Sequence, residues 1–88
     1  MVTAEDFRNA LIRIFKESQQ EGVKFIEIRS GDLHKRVGDY PGRNHRMPVC
    51  CSVMRSFLDS EDKIITTPPK GNGANVVIRY HIPRRKNG

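Results

Sequence analysis

The chain has 88 residues, enough for one domain with a modest core, and its 36% hydrophobic and 30% charged residues read as globular rather than disordered. Apolar runs are only a few residues long, so no segment is expected to span a bilayer, and the N-terminal MVTAEDF lacks the pattern of a signal peptide, which points to the cytoplasm. The formal charge of +6, with a pI near 9.8, favours a polyanionic partner.

The charge is segregated. Residues 1–32 carry five basic and six acidic groups, for −1, whereas residues 33–58 carry five basic and one acidic, for +4. Asp59, Glu61 and Asp62 then give −3, and residues 63–88 hold six basic groups and no acid, for +6. Charge that served solubility alone would not need that division.

In chain order, Val2 to Gln20 contains a helix. Thr3 is a good N-cap with Asp6 three residues on, and Phe7, Ala10, Leu11, Ile14 and Phe15 make one apolar stripe. Gly22 is a plausible stop. Val23 to Arg29 reads as a strand, with Ile26 and Ile28 on one face and Phe25 and Glu27 on the other. Ser30 suits the cap of a second helix over Gly31 to Val37, with Leu33 and Val37 inward and Lys35 and Arg36 outward. Tyr40-Pro41-Gly42-Arg43 fits a type II turn.

Residues 44–58 then read as a third helix, with Val49 or Cys50, Val53, Met54 and Phe57 facing a core. Ser52, Arg55 and Ser56 fall on the other face. Its start has two solutions: Asn44 is the better capping side chain, Met47 the better fit to Pro48 in the first turn. DSEDK, residues 59–63, is a polar break where charges are expected to be solvated. Ile64 to Thr67 and Val76 to Ile82 are the remaining strands, the second with Val76, Ile78, Tyr80 and Ile82 inward. The loop PPKGNGAN joins them, with Lys70 near its tip, and residues 84–88 form a basic tail.

The order is helix, strand, helix, helix, strand, loop, strand. Over residues 3–83 it resembles the winged helix-turn-helix superfamily of DNA-binding domains. The resemblance implies an α+β fold, three helices packed on a small antiparallel sheet, as a single domain over residues 1–83. It further implies that helix 44–58 enters the major groove of duplex DNA and that residues 67–75 form the wing. The segment from Gly38 to Met47 is longer than the turn of the simple motif. GDLHKRVG, YPG and HRMPVCC also look like small prokaryotic domains of unassigned role, some attached to nucleases.

DNA binding needs cations for phosphates and forked donors for base edges. Arg43, Arg46 and Arg55 can form forked contacts, and His45 belongs to the same basic lead-in. Asn44 either pairs with adenine or caps the helix. Ser52 and Ser56 are candidates for phosphate or base, and Lys70 and Asn72 for backbone or minor groove. Lys35 and Arg36 either clamp flanking phosphates or form a solvated face.

Enzyme readings fail on count or geometry. His34, His45, His81, Cys50 and Cys51 lack a metal-ligand spacing, and adjacent cysteines on a helix point about 100° apart. Glu61-Asp62-Lys63 resembles the acidic run of nucleases but sits in a polar turn, and no phosphate-cradling glycine loop is present. No catalytic residue, metal or cofactor is expected. The expected function is a DNA-binding transcriptional regulator, with a homodimer on a two-fold site as one form of it. The alternative is a non-catalytic interaction or targeting module of a larger restriction or repair complex. Arg43, Arg46, Arg55 and Lys70 separate the two. One continuous positive surface favours DNA, whereas ion pairs to Asp39, Asp59 and Glu61 favour a protein partner.

Overall fold

A computed structural model describes residues 2–42, 45–67 and 73–84 of the chain. The described elements are α1 (Ala4–Glu21), β1 (Phe25–Arg29), α2 (Ser30–Val37), α3 (Met47–Ser56), β2 (Lys63–Thr66) and β3 (Val77–His81). The fold is α+β, with three helices and one three-stranded antiparallel sheet among these residues, ordered β1-β3-β2.

α1 begins where the sequence places a cap. The Asp6 N–H donates to Thr3 Oγ1 at 3.3 Å and the Thr3 N–H donates to Asp6 Oδ2 at 2.9 Å, closing a capping box. It ends at Gly22, whose φ of 76° lies in the left-handed region that other residues adopt only with strain. Phe7, Leu11 and Phe15 are buried, with Ala10 and Ile14 packed at the margin.

The sheet presents alternate residues to this helix. Val76, Ile78, Tyr80 and Ile82 are all buried, as their spacing demands, and Tyr80 donates its hydroxyl to the Met54 carbonyl at 2.8 Å. β1 and β3 pair over their whole length, with Ile26 opposite Tyr80 and Ile28 opposite Ile78. β2 is shorter and shifts register between Ile64 and Thr66, which marks a bulge. α3 closes the core with Met47, Cys50, Cys51, Val53 and Met54. Both cysteines are free thiols, and both are buried.

Several boundaries differ from the sequence reading. α3 starts at Met47 rather than Asn44, with Arg46 as the N-cap residue and Pro48 second in the helix. A proline there has no helical acceptor to lose, so it fixes the start. Ser30 is not a cap: it is the first residue of α2 and fully buried, and the N-cap position belongs to Arg29. The Tyr40–Pro41 bond is cis, and Arg43, the last residue of the expected type II turn, lies outside the described residues.

The break at residues 59–63 is not simply solvated either. The Asp62 side chain has no exposed surface. Arg84, read as the start of a tail, is docked against it with a side chain only 9% exposed. Residues 85–88 lie outside the described residues.

Candidate nucleic-acid interface

α3 packs its core residues inward and leaves a polar row outward. At about 100° per residue, Pro48, Ser52, Arg55 and Ser56 fall on the side opposite Cys50, Val53 and Met54. Ser52 and Ser56 are exposed and Arg55 is half-buried. The Ser56 hydroxyl donates to the Val53 carbonyl at 2.6 Å, so its proton is committed and its oxygen remains an acceptor. A shallow groove runs between this row and α1, with Ala4 and Arg8 forming the opposite wall.

The approach to α3 hangs on one imidazole. His34, fully buried on α2, faces the Gly38 carbonyl through Nδ1 at 2.9 Å and accepts the Arg46 N–H on Nε2 at 2.8 Å. A carbonyl only accepts and an amide only donates, so the partners assign a neutral ring with its proton on Nδ1. The rings of Phe7, Tyr40 and His45 pack around it, with centroids 4.9, 5.1 and 6.3 Å away. His45 itself is exposed, and its Nδ1 accepts the Met47 N–H at 3.4 Å, next to the helix start. The sequence marks His34 only as an unmatched ligand; its place four residues before Gly38 is the signal that a helix-ending carbonyl lies within its reach.

The arm leading into β3 is fastened to α2 in a similar way. The Ser30 hydroxyl donates to the Gly73 carbonyl at 2.7 Å and accepts the Val76 N–H at 3.2 Å. The Gly31 N–H donates to the Ala74 carbonyl at 2.9 Å. A Cβ on Gly31 would sit 3.0 Å from that same oxygen, so the two backbones approach this closely only with glycine. The Cys51 thiol reaches the Gly73 carbonyl at 3.5 Å from beneath. α2, α3 and the base of the 67–75 loop are thereby joined at one point.

Burial, then the neighbouring Cys51, pushes the Cys50 thiol up to about 12. Burial raises Cys51 too, offset in part by Ser30 and the Arg55 guanidinium. Thiols held protonated in this way are core groups, not nucleophiles. Among the described residues no group of three or more His, Cys, Asp or Glu is placed to hold a metal ion. Nor is any helix among them long and apolar enough to cross a membrane.

The sequence candidates divide by location. Ser52 and Arg55 share the outer side of α3, and Arg46 and His45 stand at its start. Lys35 and Arg36 do not join them. They line a groove against Ile14 of α1, and Arg36 pairs with Glu17 at 3.3 Å. That is the flank of α1 away from Ala4 and Arg8. Arg43, Asn44, Lys70 and Asn72 lie outside the described residues, so two of the four cations that separate the functional readings do as well.

Sequence reasoning missed the Asp62 cluster. Asp62 Oδ1 accepts the His81 N–H at 2.8 Å and His81 Nδ1 at 3.0 Å, while Oδ2 accepts the Asp59 N–H at 2.8 Å. Arg84 completes the cluster, its guanidinium lying over the Phe15 and Tyr80 rings at 4.7 and 5.2 Å. The cluster closes the sheet end.

No protein-family model matches the chain, and neither does any curated protein or solved structure.

Proposed function

We propose that the chain is a winged helix-turn-helix domain that binds duplex DNA, with α3 lying in the major groove and residues 67–75 serving as the wing. The reading is supported by the element order and the β1-β3-β2 sheet. The observation that carries it is the outer side of α3. Ser52 and Ser56 point away from the core with Arg55 beside them, in the third of the chain where basic residues outnumber acidic five to one. Arg46 and Arg55 supply forked donors for base edges, Ser52 a hydroxyl for phosphate or base, and Ser56 an acceptor oxygen for a base donor. Arg43, Asn44, Lys70 and Asn72 are further candidates from the sequence and lie outside the described residues. A transcriptional regulator acting on a two-fold site as a homodimer is the form of this function that we favour.

The test is a titration against labelled duplex DNA of mixed sequence at low and moderate salt. Binding that falls steeply with salt on a log–log plot supports a phosphate-contacting surface and leads on to selection of a preferred site. Absence of binding at low salt rejects the reading. The second reading, an interaction module of a larger assembly, is favoured by a different observation: Val23, Phe25, Ile64 and Ile65 are exposed along the sheet edges.

A further inference from the structure

We propose that His34 sets sequence discrimination without touching DNA, as a positioning residue that aims the start of α3. The inference rests on the DNA reading above and names the group that governs how the helix is presented.

α3 has no capping side chain of its own. Its N-cap residue is Arg46, whose side chain makes no capping hydrogen bond, and Pro48 follows in the first turn. α1, by contrast, is closed by Thr3. The main-chain donors at the start of α3 are taken instead by two imidazoles. His34 Nε2 accepts the Arg46 N–H at 2.8 Å, and His45 Nδ1 accepts the Met47 N–H at 3.4 Å. The Arg46 carbonyl in turn accepts the Cys50 N–H at 2.9 Å. Arg46 is therefore fastened on both sides of its Cα, by α2 on one side and by the first turn of α3 on the other. Of the two rings His34 is the fixed one: it is fully buried and packed against Phe7 of α1, whereas His45 is exposed.

The connector makes this anchor necessary. The segment from Gly38 to Met47 does not fix the angle between two helices as a turn of three or four residues does. His34 supplies that constraint from α2, because it holds both the Gly38 carbonyl at 2.9 Å and the Arg46 N–H. One turn earlier on the same helix, the Ser30 hydroxyl and the Gly31 N–H hold the Gly73 and Ala74 carbonyls of the arm that leads from the proposed wing. Residues four apart on a helix stand one above the other. A single turn of α2 is thus the common reference for the start of α3 and for the base of the wing.

Forked contacts to base edges require a fixed approach, whereas phosphates attract cations regardless of sequence. Loosening the Arg46 main chain therefore costs base reading and spares the non-specific attraction.

Two variants of the full chain divide the ring between them. In His34→Gln the amide oxygen takes the place of Nε2, so the Arg46 N–H keeps an acceptor. In His34→Asn the amide nitrogen takes the place of Nδ1, so the Gly38 carbonyl keeps its donor and the Arg46 N–H loses its partner. Both lose the ring packing, so a merely structural role would affect them alike. Each is titrated, at a temperature where denaturation curves show it folded, against a duplex selected by the wild-type chain from a random library and against a scrambled duplex. His34→Asn is expected to lose about tenfold or more on the selected duplex and to stay within about twofold on the scrambled one. His34→Gln should stay within about threefold on both. Equal losses in the two variants, or equal losses on the two duplexes, overturn the proposal. Should the variants fail to fold, a chain ligated at Cys50 with an ester in place of the Arg46 amide removes that one N–H and no side chain. It is expected to show the same selective loss, and unchanged discrimination overturns the proposal. The clasp is also read without DNA, as a scalar coupling across the hydrogen bond from the Arg46 amide to His34 Nε2 in the ¹⁵N-labelled chain; its absence overturns the proposal as well. Wild-type binding that does not distinguish the duplexes removes this proposal and leaves DNA binding standing, while no wild-type binding at low salt removes both.

Discussion

Arg84 donates through Nη1 to both carboxylate oxygens of Asp62, at 2.9 and 3.0 Å, and through Nη2 to the Phe57 carbonyl at 2.7 Å. The pair joins the end of the chain's last strand to the turn after α3, and both side chains are almost wholly out of solvent. Removing one member strands the other charge. Arg84→Ala should therefore destabilise the domain by about 3–5 kcal/mol, as loss of one partner from a buried ion pair does. Chemical denaturation checks this, and a loss below about 1 kcal/mol would place the pair among ordinary surface contacts.

The same cluster sets an acid limit. Burial alone would raise the Asp62 carboxyl, but hydrogen bonds from Arg84, the His81 and Asp59 N–H groups and the His81 ring hold it below the usual carboxylate range. A carboxylate whose pKa is lower folded than unfolded contributes stability that is complete above the unfolded value of about 4, and this is lost as pH falls through the folded value. Asp62→Asn should thus be less stable near neutrality and lose less on acidification. Denaturation curves for the two proteins across an acid pH series give the comparison; parallel curves would remove Asp62 from the acid response.

At the α2 junction, Ser30→Ala removes a buried donor to Gly73 and leaves the Val76 N–H without its acceptor. A cost of about 1–3 kcal/mol is expected. Gly31→Ala should cost a similar amount by pressing on the Ala74 carbonyl. Hydrogen exchange adds a local readout: the Val76 amide should lose protection before the centre of β3 does.

For DNA, Arg46→Ala and Arg55→Ala should each cost about 1–3 kcal/mol on a preferred site if they read bases. Lys70→Ala should weaken all sequences alike and flatten the salt dependence. Arg36→Ala, on the other flank of α1, should leave DNA affinity nearly unchanged. Binding assays on a selected and a scrambled duplex separate these cases, and equal losses on both duplexes for all of the arginine variants would end the base-reading role.

The cysteines offer an independent probe of opening. With Cys50 pushed up to about 12 and both thiols buried, a thiol reagent at mildly alkaline pH should label the native chain slowly. Labelling should accelerate in step with unfolding across a denaturant series. Rapid labelling of the folded domain would show that α3 moves away from the arm at Gly73.

What was legible in the sequence followed periodicity. The α1 stripe, its capping box and the alternation from Val76 to Ile82 repeat at spacings that burial enforces, so they could be read without coordinates. Polar groups that pair over long distances leave no such trace. Asp62 and Arg84 stand 22 positions apart, and Ser30 and Val76 stand 46 apart, so composition made the first two look like a solvated break and a tail. The start of α3 was ambiguous because two local rules, a capping asparagine and a first-turn proline, competed within a few residues. The placement of Lys35 and Arg36 depended on which flank of α1 receives α2, a matter of packing and not of spacing.

The clasp at His34 also matters for anyone who would alter this protein. Both ring nitrogens hold main-chain atoms, the Gly38 carbonyl and the Arg46 amide. Those two bonds are made by the main chain, while the Tyr40 and His45 rings pack against the imidazole between them. Rewriting is therefore confined to positions whose side chains leave the imidazole alone: Pro41 and Gly42 can be exchanged, provided Tyr40 and His45 stay on the ring and both ends return to it. α3 would then keep its bearing while the surface beside its first turn is exchanged.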